Sequence, residues 1–213
     1  MDELTRQQRV EQCRKPVGKI GKSVGAEMNE HHRDLWEWGL SHVEIARDAS
    51  ILDIGCGGGK SLQVLAQLAP QGKVTGIDYS ADMVEMSADL NRDLIEAGRV
   101  CVSRGNVEKL DFADETFDQA VAFETYYFWP DQQANLAEIC RVLKPGGKIL
   151  LVNEVFDHPD FAERNRYYVE TAKMSIHTEA GFRELLESAG YEVLAVDPIV
   201  EKNWITVLAQ KPV

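Results

Sequence analysis

Short apolar runs alternate along this chain with stretches in which apolar residues recur every three or four positions. Ile51, Leu52 and Ile54, Lys73 to Asp78, Arg99 to Arg104, Phe117 to Phe123 and Lys148 to Val155 read as strands. Their apolar runs are those of strands buried on both faces. Between them, Leu62, Leu65, Ala66 and Ala69, then Met83, Met86, Leu90 and Leu94, then Leu136, Ile139 and Leu143 fall at helical spacing. Gly98 and Gly190 suit helix ends, Thr178 suits an N-cap, and Pro130 suits a first helical turn. Tyr191 to Asp197 and Asn203 to Gln210 close the pattern as a hairpin. Strands alternating with helices predict an α/β fold, a mostly parallel sheet sandwiched between helical layers with right-handed crossovers. Residues 1–25 are charged and poorly periodic, while Glu27 to Arg47 turns helical with Leu35, Trp38, His42 and Ile45 on one stripe. The expected division is an N-terminal arm and helix over 1–47 and one domain over 48–213.

The first strand runs into Asp53-Ile54-Gly55-Cys56-Gly57-Gly58-Gly59-Lys60. This places a glycine turn at a helix N-terminus, where free N–H groups and the helix dipole favour an anion. A dinucleotide fingerprint would need glycine at position 60, which is Lys60. The pattern D-x-G-x-G-x-G is met in full by Asp53, Gly55, Gly57 and Gly59. Asp78 ends the second strand, 23 positions past Gly55, where an acid can accept from both ribose hydroxyls of an adenosine-containing cofactor. Gly18-Lys19-Ile20-Gly21-Lys22-Ser23 imitates a phosphate-binding loop, but Pro16 stands where glycine is required and no strand precedes it.

The glycine motif, Asp78 and the run Leu136 to Lys148, which ends Leu143-Lys144-Pro145-Gly146-Gly147-Lys148, occur in the order found in class I S-adenosylmethionine-dependent methyltransferases. Residues 48–155 resemble that family. The resemblance implies a Rossmann-like sheet of seven strands with a terminal antiparallel strand, and S-adenosyl-L-methionine as cofactor. It places Gly55, Cys56, Gly57 and Gly59 at the methionine portion, with Asp53 organising the loop. Asp78 falls at the ribose, Asn106 and Val107 fall at adenine, and Tyr79 and Met83 count among the cofactor-binding residues. Asn106 departs from the acid common there, but its amide oxygen can still accept from an exocyclic amine. Glu124 falls near the sulfonium or the amino group. Residues 1–25 then read either as an arm folding over the cofactor mouth or as a disordered terminus.

After the fourth strand come Glu124-Thr125 and four aromatics, Tyr126, Tyr127, Phe128 and Trp129. They read either as an apolar plug or as a wall that excludes water and cradles a sulfonium, a contact worth roughly 0.5–2 kcal/mol. The tetrapeptide usual for amide or amine acceptors in DNA or protein is missing here. Tyr126, Tyr127, Trp129 and Trp36 are the candidates for acceptor contact, and residues 156–177 are the candidate lid. An oxygen acceptor needs a base, for which Glu124, His31, His32, His158 and His177 are the candidates.

A net charge of −12 opposes nucleic-acid partners, and no apolar run is long enough to span a membrane. The four cysteines show no paired spacing, so no metal site or disulfide framework is expected and a cytoplasmic setting fits. The reading is methyl transfer to a small-molecule acceptor, with monomer and homodimer both open. An NAD-linked oxidoreductase and a non-catalytic cofactor-binding module are the rival readings.

Overall fold

The computed structural model describes residues 5–213. Seven strands form one sheet: β1 (Ser50–Ile54), β2 (Lys73–Asp78), β3 (Val100–Arg104), β4 (Phe117–Phe123), β5 (Leu143–Asn153), β6 (Glu192–Ile199) and β7 (Trp204–Gln210). Their order is β3-β2-β1-β4-β5-β7-β6. β1 to β5 pair in parallel, and β7 is antiparallel to both β5 and β6.

Alternate side chains of each central strand enter opposite cores. Leu52, Ile54, Ala120 and Ala122 face one core, completed by α7 (Gln132–Val142) and α9 (Glu179–Ser188) through Leu136, Ile139, Phe182 and Leu186. Ile51, Val121, Leu150 and Val152 face the other, built with α3 (Arg33–Leu40) and α4 (Lys60–Leu68) through Leu35, Trp36, Leu62 and Leu65. These are fully or almost fully buried, and each leucine, isoleucine or phenylalanine contributes about 1.5–3 kcal/mol of transfer free energy. Strand order reverses direction between β1 and β4, so the carboxyl ends of these strands open the crevice where sheets of this kind take ligands.

The expected 83–98 helix is two helices, α5 (Ala81–Leu90) and α6 (Arg92–Glu96). Asn91 breaks them because its amide donates to Gly59 O at 2.9 Å and Ser87 O at 2.8 Å, tying the break to the glycine turn. Ser80 caps α5, its side chain accepting from Met83 N. Pro130 stands outside α7, whose cap is Asp131, accepting from Ala134 N at 3.0 Å. β5 starts at Leu143 rather than Lys148, since Leu143 already pairs with Phe117 across a register shift.

Of the N-terminal arm, residues 1–4 lie outside the described residues. The described part forms α1 (Arg6–Arg14) and α2 (Gly18–His31). Thr5 and Gln8 form a capping box on α1, and Arg9 pairs with Glu27 of α2 at 2.7 Å. The connection is fastened to the loop after β2 and the first turn of α5: Tyr79 OH donates to Arg14 O, Ser80 Oγ to Pro16 O at 2.6 Å, and Gly18 N to Asp82 Oδ2 at 2.9 Å. Within 156–177, α8 (Ala162–Ala172) packs against α1. Among the described residues, no helix is long and apolar enough to cross a membrane.

Candidate active site

β1 ends in a turn whose N–H groups at Gly55 and Cys56 both reach Ile77 O, at 2.8 and 3.0 Å, binding the turn to β2. Gly55 has φ +77°, and a Cβ there would run into the Thr125 side chain; at Gly59, φ +84°, it would strike Ser87. Left-handed backbone and close packing both demand glycine at these two positions. Asp53 lies beneath the turn, fully buried, and accepts from Ser61 Oγ of α4 at 2.5 Å, while its other oxygen has no partner. Burial pushes its carboxyl up to about 7, with the Asp78 charge adding to the shift and the Ser61 bond opposing it.

Asp78 sits at the lip of β2 and closes the turn, accepting from Gly57 N at 3.0 Å and Ser80 N at 2.8 Å. Burial raises its pKa, and these N–H groups hold the rise in check. Beside it opens a first cavity of about 520 Å³, with Gly55, Asp78, Tyr79, Asn106, Val107, Glu124 and Trp129 among its walls and Arg14 and Cys13 of α1 at its edge. Ile54, Ile77 and Val107 give it an apolar floor. The Asn106 side chain is turned to Glu108, bonding both its carboxylate and its N–H, so the amide is engaged rather than free for a base.

A second cavity, about 980 Å³, lies between α1, α2, α8 and the ends of β4 and β5. His31, His32, Tyr127, Glu154 and Tyr168 line it, and Cys13, Glu124 and Phe128 line both cavities. The two spaces therefore meet at Glu124. This residue has left-handed backbone, φ +60°, a conformation costing a non-glycine residue of order 1 kcal/mol and concentrated at functional sites. Its carboxyl accepts from Tyr127 OH at 2.8 Å and from Glu154 N. Burial, then the Glu154 charge, hold its pKa well above the usual carboxylate range.

The other sequence candidates are scattered. Cys56, within the turn, and Met83 of α5 are buried and line neither cavity, the Met83 sulfur lying against Gly25 of α2. Tyr126 is fully buried against Phe182, Trp129 and His177, so it is part of the plug and not of an acceptor wall. Trp36 packs on Phe123 and lines neither cavity, and Trp129 faces the first cavity rather than the second. His177 bonds Gln132 at 2.6 Å behind Tyr126, and His158 lies near Asp160, both away from Glu124 and outside the two cavities. His31 and His32 do reach the second cavity; burial, then the neighbouring His31 ring, depresses the pKa of His32 to about 4. Glu154 and Cys13 escaped the sequence reading. Glu154 had a signal, an acid just past the end of β5 as Glu124 is past the end of β4; Cys13, alone in a polar helix, had none.

A family profile described as "Methyltransferase domain" matches residues 52–151. The O-methyltransferase cnsE of Penicillium expansum is 34% identical over 73% of this chain and 56% of its own length. The O-methyltransferase rstn1 of Aspergillus nomiae NRRL is 30% identical over 75% of this chain and 72% of its own. The chain belongs to the class I S-adenosylmethionine-dependent methyltransferases. As a member of that family it shares its fold with a SAM dependent methyltransferase of known structure from Aquifex aeolicus, with a TM-score of 0.73 at 22% identity over 90% of this chain and 99% of that one. The chain spans a little over half the length of several relatives it matches, including cnsE.

Proposed function

We propose that this protein transfers a methyl group from S-adenosylmethionine to a hydroxyl of a small-molecule acceptor. The reading is carried by two cavities of ligand size that meet at one half-buried acidic residue, Glu124. The first cavity fits the cofactor: glycine backbone permits close approach, and the Asp78 carboxyl keeps lone pairs beyond its two N–H bonds for ribose hydroxyls. Ile54, Ile77 and Val107 offer an apolar seat for a base. Glu108, which also lines this cavity, is the acid nearest in chain to the adenine-side position. S-adenosylmethionine, when bound, supplies an electrophilic methyl group on a cationic sulfur.

The chain's own residues then have three tasks. Phe128 and Tyr127 exclude water at the junction; α1, α2 and α8 cover it, with 162–172 as the lid. Glu124 takes the hydroxyl proton; a cation in the neighbouring cavity favours its charged form, opposing the burial that raises its pKa. Alignment of the two ligands across the junction supplies much of the acceleration, roughly 7–11 kcal/mol for well-oriented groups. The O-methyltransferase relatives favour an oxygen acceptor, and four free cysteines suit a reducing compartment.

Calorimetric titration with S-adenosylhomocysteine, S-adenosylmethionine and NAD tests the reading. The adenosyl sulfur compounds bind, and Asp78→Ala weakens them by about 10- to 150-fold, the loss of charge-assisted hydrogen bonds worth about 1.5–3 kcal/mol. Glu124→Gln, which keeps the shape of the junction, retains binding but loses turnover on any acceptor found, by about 10²–10⁴. Binding of NAD in place of the sulfur compounds, or an Asp78→Ala variant with unchanged affinity, overturns the assignment.

A further inference from the structure

Adjacent residues on a helix point about 100° apart and do not face one another. His31 and His32 escape this rule because α2 ends at His31 and α3 begins at Arg33, leaving His32 at the break with φ −89° and ψ 7°. The two rings come together edge to face, with centroids 5.4 Å apart, on the wall of the second cavity. Glu154, just past the end of β5, meets them there. Its Oε2 lies 3.7 Å from His31 Nε2 and its Oε1 lies 3.9 Å from His32 Nε2. Both separations exceed hydrogen-bonding distance, yet one potential ligand atom from each residue lies within 4.8 Å of the others. Three donors around a tetrahedral ion, each about 2.1 Å from it, stand about 3.4 Å apart. The trio is therefore open by a few tenths of an ångström to somewhat over one, and His31, with an exposed side chain, is free to close it.

We infer that His31, His32 and Glu154 form a divalent metal site in the acceptor cavity. Two imidazoles and one carboxylate suit a borderline transition ion such as Zn²⁺, Co²⁺ or Fe²⁺ rather than Mg²⁺ or Ca²⁺, which prefer all-oxygen sets. Three protein ligands leave a position for an oxygen of the acceptor. The site adjoins the junction directly, because the backbone N–H of Glu154 is what holds the Glu124 carboxyl. The facing charges are compatible with a cation. Glu27, Glu30 and Glu124 line the same cavity; Arg9 is paired with Glu27, and Arg164, 3.5 Å from the Glu154 carbonyl, is among the described residues the remaining cation whose charge reaches the Glu124 and Glu154 carboxyls.

The inference rests on the methyl-transfer reading and gives the acceptor a chemical class: an oxygen ligand, such as a phenol, enol or hydroxy-carbonyl compound. Coordination acidifies its hydroxyl, whose proton passes to the Glu124 carboxylate. The oxygen then forms its bond to the methyl carbon as the carbon–sulfur bond breaks, and that electron pair stays on sulfur to give the neutral thioether.

The test is titration of the metal-free protein with Co²⁺, reading stoichiometry after dialysis and the visible ligand-field spectrum, with S-adenosylhomocysteine affinity measured on the same samples. One equivalent of Co²⁺ and a spectrum of low-symmetry coordination are expected. His31→Ala and Glu154→Gln weaken binding by more than the roughly 10–100-fold that loss of an outer-shell partner costs. His158→Ala, which lies outside the trio, leaves it unchanged. His31 is exposed, so its variant tests the site without disturbing the core. Failure to retain Co²⁺, or retention equal in all variants, overturns the site even if S-adenosylhomocysteine binds. Retention that depends on the trio, without S-adenosylhomocysteine binding, upholds the site and removes the methyl-transfer reading.

Discussion

Asp53 shows how much one side chain can be bent by its surroundings. It is buried with one oxygen unpartnered, and its pKa rises from 3.8 to about 7. The folded state therefore keeps a proton that the unfolded chain releases, and the linkage has a definite sign. Its contribution to stability is fully present below about pH 4, declines as pH rises, and is lost once pH passes the folded value near 7. An Asp53→Asn variant, which mimics the protonated form, loses this slope. Melting temperatures from pH 4 to pH 8 are expected to show the variant gaining on the parent as pH rises; parallel curves would show that Asp53 stays ionised throughout. The same residue exposes what the sequence could and could not convey. Asp53 stood out through the glycine motif, but its side-chain partner is Ser61, in the first turn of α4, rather than the glycine loop itself. Asp78 was singled out by its spacing from Gly55 at the end of β2 and Glu124 by the family resemblance, and both line the first cavity. Tyr126 was ambiguous because an aromatic beside a strand end can turn toward core or cavity, and only the packing of Phe182 decides which.

At the scale of elements, β2 and β4 have the ranges their sequence patterns predict, since each apolar run is bounded by polar or turn-forming residues. The division of α5 from α6 was hidden, because the helical spacing of Met83, Met86, Leu90 and Leu94 runs straight through Asn91. Leu90, however, is exposed, and the side chain of Asn91 holds the carbonyl of Gly59. The break thus serves the glycine turn rather than the helix. Asn91→Ala leaves that carbonyl without its partner and is expected to cost about 1–3 kcal/mol. Urea unfolding should show a lower midpoint with an unchanged slope, and S-adenosylhomocysteine affinity should fall several-fold beside it. Loss of stability with full affinity would mean that the turn holds its shape without Asn91. The α1–α2 pair was equally hidden. The α1 sequence has almost no apolar stripe, and it is fixed by a capping box and by bonds to a loop more than sixty residues away.

On the scale of the whole molecule, the walls around the two cavities are assembled from parts distant in the chain: Cys13 from α1, Glu124 just past the end of β4 and Glu154 just past the end of β5. The sheet should stand without α1, whose contacts are with α2, α8 and the loop after β2. Removal of residues 1–17 is therefore expected to leave far-ultraviolet circular dichroism close to that of the parent, less one helix. S-adenosylhomocysteine should dissociate several-fold faster, as expected when a cover is lost rather than a contact surface. Stopped-flow dissociation rates check this; an unchanged rate would make α1 a bystander. The place of β7 carries a different implication, for synthesis rather than catalysis. It lies between β5 and β6 although it follows both in the chain. On the ribosome, the flank of β5, with Ile149, Leu150, Leu151 and Val152 all fully buried in the finished protein, waits bare until residues 204–210 have emerged. Until then the nascent chain presents an open apolar edge to its neighbours. Demand for chaperones, and the risk of polysome-bound aggregation, should peak in the interval between translation of β5 and release of β7.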